Sequence, residues 1–467
     1  MVPASVSLTP GAPCSDSRRV PLRGSGRPRL ALVYPPVTER FVAMRDLGLS
    51  PPLHLLALAA AVEADILILD GAHLGLPAIL KALADFNPDV IGMNVDLTNY
   101  GHAVTIANAT TARIILGGNY AAFMARPILA RQPRVEAICY NDGEQALAGF
   151  LRGDLAQPNL ICRHGANPVQ VPDIARNPTP AYHLIDLAPY FRRQQEVMGP
   201  GFRMLQFYGQ KGCVNTPHCT FCGRYEDGMR LRDPQIYSDE VLHHIKLHHL
   251  TEVWDRSDSY LQSRRWFSAV QSRLRGVGVS YKTYARADQL DDTNIRLMKE
   301  MGFRMVYIGF EAGDNALLLA MNKRETTAMY LDATRRVLAA GIEIDASFII
   351  GLPGENPDTL RHQLEFVGQL AALGVRKIKV NRVLVLPGTP LFARVCAQFP
   401  EVALLDALDN DDLQRKLYST YDLAGFGGVE GFVGAINDTA QEMAEVVRSQ
   451  GGTAEGYGYG GKQTLAP

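Results

Sequence analysis

Apolar segments alternate with amphipathic segments through most of this 467-residue chain, and this alternation restricts its fold more than any other feature. In the first part, runs such as Leu30 to Tyr34 and Arg113 to Gly118 are almost continuously apolar, which is typical of parallel strands covered by helices on both faces. Stretches between them, such as Ser50 to Ala61, have helical apolar spacing. The pattern predicts an α/β domain over residues 29–152, built on a doubly wound parallel sheet.

A second series of strand and helix repeats begins at Arg203. Six apolar strands are predicted within residues 203–390, and the segments between them, such as Thr327 to Ala340, have helical spacing. Six repeats predict a partial (β/α)6 barrel that is open at one side. Functional residues of such barrels gather at the carboxyl ends of the strands.

Amino-acid composition and apolar spacing predict the character of the remaining segments. Residues 1–28 are rich in Pro, Gly, Ser and Arg and are predicted to be a disordered tail. Residues 153–202 form a Pro-rich linker, and residues 391–450 have helical stretches that predict a C-terminal helical extension. The Gly-rich residues 451–467 are predicted to be a flexible tail.

Charge and hydropathy exclude several classes of protein. A net charge of −1 argues against a large nucleic-acid interface. No apolar run approaches the length of a membrane span, and the N-terminus has no apolar signal core. Seven cysteines, an odd and mostly scattered number, do not suggest a disulfide framework. We therefore expect a cytoplasmic protein with neither a nucleic-acid nor a membrane partner.

Three of the cysteines, Cys213, Cys219 and Cys222, lie within ten positions in the sequence GCVNTPHCTFCGR. Thiolates are ligands for zinc or iron–sulfur clusters. A structural zinc ion requires a fourth ligand, which His218 could supply, although its position beside Cys219 makes tetrahedral geometry awkward. Three thiolates around a four-iron cluster would instead leave one iron open. The loop favours the cluster, with zinc as the alternative.

The loop, the apolar run before it and the aromatic Phe221 resemble the radical S-adenosylmethionine (SAM) superfamily. The usual spacing there is C-x3-C-x2-C, whereas this chain has C-x5-C-x2-C. The segments RADQLDDTNIRLMKEMGFRMVYIGFEAG and FIIGLPGENPDT extend the resemblance over about residues 203–390. It implies a [4Fe-4S] cluster whose open iron binds SAM, and reductive cleavage of SAM to a 5′-deoxyadenosyl radical. An electron donor such as flavodoxin or ferredoxin is also implied.

The same resemblance implies roles for polar residues at the strand ends. Arg286, Glu311 and Lys323 would hold the amino-acid end or the ribose of SAM, and Gly351 would let the backbone approach the adenine. The usual Gly-Gly-Glu-Pro sequence after the second strand is replaced by WDRSDSY.

Asp255, Asp258 and Asp288 also lie at predicted strand ends. Carboxylates in such positions are candidates for acid–base catalysis. The alternative for each is a surface salt bridge, which is the commoner role of an acidic residue.

The first domain resembles the cobalamin-binding domain that precedes many radical SAM domains, through LSPPLHLLALAA, ILGGNYAA and YNDGEQAL. The D-x-H-x-x-G loop that supplies a histidine to cobalamin in methionine-synthase-type proteins is missing, and DGAHLG at Asp70 has a different spacing. Leu97, Tyr100 and Tyr120 lie near the strand ends and would fill a corrin pocket. Two alternatives remain: a retained scaffold with a filled pocket, which these residues favour, and a functional cobalamin site.

Three functions follow. The crowded pocket, the cysteine spacing and the acidic strand ends favour radical dehydration or deoxygenation of a polyhydroxylated, aminoglycoside-like small molecule. This chemistry resembles that of the radical SAM dehydratase of aminoglycoside biosynthesis, a lyase, and its substrate would be an aminosugar. Cobalamin-dependent radical methylation is the alternative. A non-catalytic metal or redox module is a third, more remote one.

Overall fold

The computed structural model describes residues 13–14, 26–38, 48–224 and 228–457. The first domain is built on a seven-stranded sheet in the order β2-β1-β3-β4-β5-β6-β7. Its strands are β1 (Arg29–Tyr34), β2 (Asp65–Asp70), β3 (Val90–Asn94), β4 (Arg113–Gly117), β5 (Val135–Cys139), β6 (Leu160–Cys162) and β7 (Gly165–Ala166). The first five strands are parallel, and β6 and β7 are antiparallel additions at one edge.

Helices cover both faces of this sheet and bury its apolar strands. They are α1 (Leu53–Ala60), α2 (Leu76–Phe86), α3 (Tyr100–Asn108), α4 (Asn119–Phe123), α5 (Ala125–Arg131) and α6 (Glu144–Leu151), followed in the linker by α7 (Ala188–Met198). The predicted doubly wound sheet is confirmed. Because the strand order reverses between β1 and β3, a crevice opens there at the carboxyl ends of the strands, where such folds bind ligands.

The second domain is a partial barrel of seven parallel strands that neighbour one another in chain order. They are β8 (Met204–Phe207), β11 (Glu252–Asp255), β12 (Ser280–Ala285), β13 (Phe303–Glu311), β14 (Glu343–Ile350), β15 (Lys377–Arg382) and β16 (Thr453–Tyr457). A separate antiparallel hairpin, β9 (Gln210–Cys213) with β10 (Gly228–Leu231), follows β8. The first six barrel strands match the predicted six repeats.

The helices of the barrel lie between its strands, and three more form the C-terminal extension. The barrel helices are α8 (Pro234–His248), α9 (Arg264–Leu274), α10 (Asp292–Met301), α11 (Asn315–Ala320), α12 (Thr327–Ala339) and α13 (Pro357–Leu373). The extension contains α14 (Pro390–Gln398), α15 (Asn410–Tyr418) and α16 (Val429–Ser449). None of the helices in the described ranges is long and apolar enough to cross a membrane.

The last barrel strand corrects the prediction of a flexible tail over residues 451–467. β16 pairs in parallel with β15, from Lys377 opposite Thr453 to Asn381 opposite Tyr457. The Gly-rich composition was a poor guide, because an edge strand is held by backbone hydrogen bonds that do not depend on its side chains. Residues 458–467 lie outside the described residues.

A disulfide joins Cys14 to Cys162 across 148 positions, with 5.7 Å between the Cα atoms. The sequence suggested no disulfide framework, and the structure has this one bridge among its described residues because the fold brings two distant cysteines together. Cys14 is buried and its backbone N–H donates to Asn167 Oδ1 at 2.9 Å, so this residue does not belong to a disordered tail. Residues 1–12 and 15–25, for which a disordered tail is also predicted, lie outside the described residues. Cysteine usage no longer supports a cytoplasmic location, which stays a prediction.

Strand β16 provides the first test of this fold. Ending the chain after Ser449 would expose the edge of β15, and we expect the melting temperature to fall by several degrees, since the lost strand contributes hydrogen bonds and packing. A chain ending after Tyr457 retains β16 and is the control. Equal melting temperatures for the two chains would contradict a structural role for β16.

Candidate active site

The cysteine loop leaves the carboxyl end of the barrel from the β9–β10 hairpin. Cys213 is the last residue of β9 and lies opposite Gly228 of β10. Gly212, with a φ of 95°, donates its N–H to the Asp258 carboxylate at 2.9 Å. An added Cβ at Gly212 would lie 2.1 Å from the Gly228 carbonyl oxygen. Glycine is therefore required next to the first cysteine by both its backbone conformation and the close approach of the partner strand.

The second half of the loop is bound to the segment after α11. The Asn215 side chain donates to the Asn322 carbonyl oxygen at 2.8 Å and lies 3.2 Å from Cys219 Sγ. The Thr220 N–H donates to the Met321 carbonyl oxygen at 3.0 Å. These contacts hold the loop that carries Cys219 at the rim of the barrel.

The three thiols differ in burial, and cations accompany them. Cys219 is buried, whereas Cys213 and Cys222 are half-buried. Burial raises the pKa of Cys222 to about 12, against the opposing effect of Arg224. Burial also raises the pKa of Cys219, while Lys323 favours its thiolate.

This donor set fits a thiolate-bound cluster, because coordination to iron deprotonates a thiol and compensates for its lost hydration. Cys213, Cys219 and Cys222 would hold the cluster. Among the described residues, no three His, Cys, Asp or Glu side chains are arranged to hold a single metal ion, and both the cluster and the zinc alternative stay predictions.

A charged network lies beside Cys219 and brings together four of the predicted residues. Arg286 Nη2 donates to Asp288 Oδ2 at 2.8 Å, and Lys323 Nζ lies 3.3 Å from Glu311 Oε1. Glu325, which the sequence analysis missed, joins the two pairs: its carboxylate lies 3.5 Å from Lys323 Nζ and 3.7 Å from Arg286 Nη2. The proximity of Arg286, Glu311 and Lys323 is compatible with their predicted contacts to SAM, and those roles stay predictions.

The three candidate acid–base residues have different environments. Asp255 is buried and accepts hydrogen bonds from Tyr237 Oη at 2.8 Å and from the Gly209 N–H at 2.9 Å. Burial raises its pKa to about 6. Its neighbours give it a role in holding the start of the hairpin. Asp288 is bound in the network with Arg286. Asp258 forms an ion pair with Arg224 and lines the cavity described below. The catalytic roles of all three stay predictions, and the geometry favours Asp258 over Asp255.

Gly351 at the end of β14 needs to be glycine for a reason that the sequence did not reveal. Its φ is 93°, and an added Cβ would lie 2.5 Å from the Tyr418 hydroxyl. Its N–H donates to Glu355 Oε2 at 2.9 Å. The other oxygen of this buried carboxylate has no hydrogen-bond partner, and burial raises the pKa of Glu355 to about 8. The predicted contact of Gly351 with adenine stays a prediction.

A cavity of about 1020 Å³ lies between the two domains. Its walls come from the carboxyl ends of β1 to β5, the first turns of α1 and the end of the barrel at β8, β11 and β12. Gly117, Gly118 and Gly143 line it on the first-domain side, and Trp254, Arg256 and Tyr284 belong to the barrel side. Small-molecule sites usually have volumes of about 300–1,000 Å³, so this cavity can accept a large cofactor or a cofactor with a substrate.

The prediction that Leu97, Tyr100 and Tyr120 fill the pocket was wrong. None of the three lines the cavity. Tyr100 Oη donates to Asp406 Oδ2 at 2.9 Å, and Tyr120 Oη donates to the Asp406 carbonyl oxygen at 2.8 Å. Both rings are buried against the C-terminal extension, and Leu97 packs on the core.

The charges along the cavity are mostly paired. Lys211 Nζ lies 2.5 Å from Asp142 and 3.8 Å from Glu144. Arg256 differs, since within the described residues it has no carboxylate partner. Its guanidinium lies 4.4 Å from the centroid of the Trp254 ring and donates to Tyr284 Oη at 2.7 Å. The remaining guanidinium N–H groups are available to a ligand.

The cysteine loop borders this cavity. Asn119, which lines it, donates from its side chain to the carbonyl oxygen of Gly223 at 3.1 Å, directly after Cys222. Asp258 lines the cavity and also binds the Gly212 N–H before Cys213. The cluster site and the interdomain cavity therefore share a wall.

Comparison with known proteins identifies the barrel. Residues 208–367 match the Radical SAM superfamily. These residues form a radical SAM domain. The matched region contains the cysteine loop and the network around Lys323, and it covers about a third of the sequence.

Curated relatives extend the similarity into the first domain. An uncharacterized methyltransferase of Pyrococcus horikoshii is 23% identical over 73% of this chain and 78% of its own. The cytidylyl-2-hydroxyethylphosphonate methyltransferase of Streptomyces wedmorensis is 23% identical over 59% of this chain and 60% of its own. An anaerobic magnesium-protoporphyrin IX monomethyl ester cyclase of Rubrivivax gelatinosus is 24% identical over 66% of this chain and 60% of its own. The enzyme thus spans less than two thirds of the length of the last two.

Two solved structures share the fold of both domains. The cobalamin-dependent SAM radical enzyme OxsB, with aqua-cobalamin and SAM bound, has a TM-score of 0.63 at 19% identity, over 84% of this chain and 56% of its own. The radical SAM methyltransferase TsrM of Kitasatospora setae, with cobalamin and a [4Fe-4S] cluster bound, has a TM-score of 0.63 at 16% identity, over 80% of this chain and 75% of its own.

The cysteine assignment predicts the metal content of variants. Replacing Cys213, Cys219 or Cys222 by alanine removes one thiolate ligand, and we expect anaerobically reconstituted enzyme to lose most of its iron and acid-labile sulfide. Cys396 on α14, which is also half-buried, provides the matched control in Cys396→Ala. Full iron content in any of the three loop variants would contradict the assignment.

Glu355 predicts a pH dependence of stability. Because its pKa rises from 4.5 to about 8 on folding, the folded state binds more protons in this range, and stability falls as the pH increases from 4.5 to about 8. In Glu355→Gln we expect a smaller fall, measured by urea unfolding across that range. Glu365→Gln, at an exposed position on the helix α13 that follows Glu355, is the control. Identical pH profiles for wild type and Glu355→Gln would contradict the buried carboxyl.

Proposed function

We propose that this radical SAM enzyme binds cobalamin in the interdomain cavity and catalyses a methyl transfer. The observation that carries the proposal is the cavity itself, which joins the ligand-binding crevice of a doubly wound sheet to the open end of the barrel beside the cysteine loop. The relatives named as methyltransferases and the cobalamin-containing structures of the same fold support it.

The first-domain side of the cavity suits a broad, flat cofactor. An added Cβ at Gly117, at the end of β4, would meet no atom within 4 Å. The neighbouring Gly118 has a φ of 93° and lies against the backbone of Val95, where an added Cβ would be 2.4 Å from the carbonyl oxygen. The end of β4 therefore presents only backbone to the cavity, which leaves room for a macrocycle above it.

The barrel side supplies groups for a substrate. When bound, the cluster, SAM and cobalamin would provide the radical and methyl-transfer reactivity, which belongs to the cofactors. The protein contributes orientation and exclusion of water. Trp254 and Tyr284 form an aromatic wall, and Arg256 offers N–H donors above it. An unpaired guanidinium favours a substrate with anionic or acceptor groups over a cationic aminosugar.

Methyl transfer replaces the dehydration that the sequence favoured. The crowded pocket was the main argument for a chemistry without cobalamin, and the residues that would have crowded it pack elsewhere. The similar proteins are methyltransferases and cyclases, so lyase activity and a role in antibiotic biosynthesis are not part of the proposal. A flavodoxin or ferredoxin as electron donor stays a prediction.

The test uses the reduced, anaerobically reconstituted enzyme with hydroxocobalamin and SAM. We expect S-adenosylhomocysteine to form only when cobalamin is present, with omission of cobalamin as the control. Cleavage of SAM to 5′-deoxyadenosine alone, together with no corrin retained after gel filtration, would contradict the proposal and favour the dehydration.

A substitution at Gly117 tests the location of the corrin. Gly117→Leu places a side chain in open cavity space without backbone strain, and we expect it to lower the corrin retained per polypeptide at least several-fold. Gly101→Leu is the matched control, since an added Cβ there also meets no atom within 4 Å but Gly101 does not line the cavity. Corrin binding unchanged in Gly117→Leu would place the cofactor elsewhere.

A further inference from the structure

His54 opens into the interdomain cavity from the first turn of α1. The helix begins after Pro51 and Pro52, and its apolar side chains Leu55, Leu56 and Ala59 are buried. His54 lies on the other side of the helix, is exposed, and lines the cavity together with the strand ends. Among the residues that line this cavity, it is the single histidine.

The imidazole of His54 is not committed to another group. Within the described part of the chain, no hydrogen bond or ion pair involves it, and its neighbour is the edge of the Tyr34 ring at 5.7 Å between centroids. Tyr34 Oη itself donates to Asp96 Oδ2 at 3.0 Å. By contrast, His73 and His102 are bonded to the backbone oxygens of Gly48 and Pro36, at 2.9 and 2.8 Å.

Although the ring is open to the cavity, desolvation by the protein around it keeps this imidazole neutral. Surrounding protein lowers the pKa of His54 to about 4, so a ring nitrogen keeps its lone pair at neutral pH. A neutral imidazole is the commonest protein ligand of transition metals.

We propose that His54 is the protein ligand of the cobalt ion, an inference that rests on the proposed binding of cobalamin in this cavity. A histidine on α1 would thereby replace the one supplied by the D-x-H-x-x-G loop, which this chain lacks. The other soft donors in the cavity wall are less suitable. Cys139 and Met93 are buried in the sheet, and burial raises the pKa of the Cys139 thiol far above neutrality.

The test uses cobinamide, a corrin without the nucleotide base, so that any nitrogen ligand on the cobalt must come from the protein or the buffer. The enzyme is loaded with cobinamide, separated from excess in a buffer without nitrogen bases, and reduced to the Co(II) state. Electron paramagnetic resonance then shows whether the cobalt lines are split by a nitrogen nucleus. We expect this splitting in the wild-type enzyme.

Two variants assign the nitrogen. His54→Ala and His54→Gln are expected to bind cobinamide without nitrogen splitting, and circular dichroism verifies that each is folded; the glutamine variant retains a polar side chain if alanine disturbs α1. His102 is on α3, binds the Pro36 carbonyl oxygen after β1 and does not line the cavity. His102→Ala is therefore expected to retain the splitting.

The possible failures are distinguishable. Cobinamide bound to wild-type enzyme without nitrogen splitting, or splitting that persists in both His54 variants, would overturn the ligand assignment and leave the proposed function intact. Wild-type enzyme that retains neither cobinamide nor cobalamin would overturn the proposed function as well.

Discussion

Asp142, in the loop after β5, links the two domains through ion pairs. Its carboxylate accepts from Lys211 Nζ at 2.5 Å and forms an ion pair with Arg230. Lys211 and Arg230 face each other across the β9–β10 hairpin. The two cations hold the pKa of Asp142 below its usual value despite burial. Breaking a buried pair of this kind costs about 3–5 kcal/mol, because a charge is left uncompensated. The hairpin that begins the cysteine loop is thus attached to the strand ends of the first sheet.

This attachment places the carboxyl ends of the strands of both sheets around one cavity. Parallel sheets bind ligands at the carboxyl ends of their strands because that is where loops and helix N-termini converge. The ion pairs of Asp142 and the contact from Asn119 to the carbonyl of Gly223 turn these ends toward each other. The cavity between them is therefore a consequence of domain orientation, and neither domain would form it alone.

Much of this arrangement could be predicted from the sequence, because strand and helix periods and the three cysteines are local signals. The signals that failed are non-local. Glu325 belongs to the network of Lys323 and Arg286 only because the loop after α11 returns to the end of β12. The bridge from Cys14 to Cys162 and the pairing of β16 with β15 likewise join segments that are far apart or carry no composition signal. Local periodicity cannot identify such partners.

The sequence also does not reveal which way single side chains point. That direction decides whether the pocket at the strand ends is open to a cofactor. Tyr100 begins α3 and Tyr120 lies in the first turn of α4, next to the strand ends where a corrin would lie. Each residue along a helix turns the side-chain direction by about 100°, so an error of one position in the helix start already turns a ring away from the cavity. Both hydroxyls bind Asp406, between α14 and α15. The aromatic residues that were predicted to close the pocket instead attach the C-terminal extension to the first domain, and the space above the strand ends stays open because they do so.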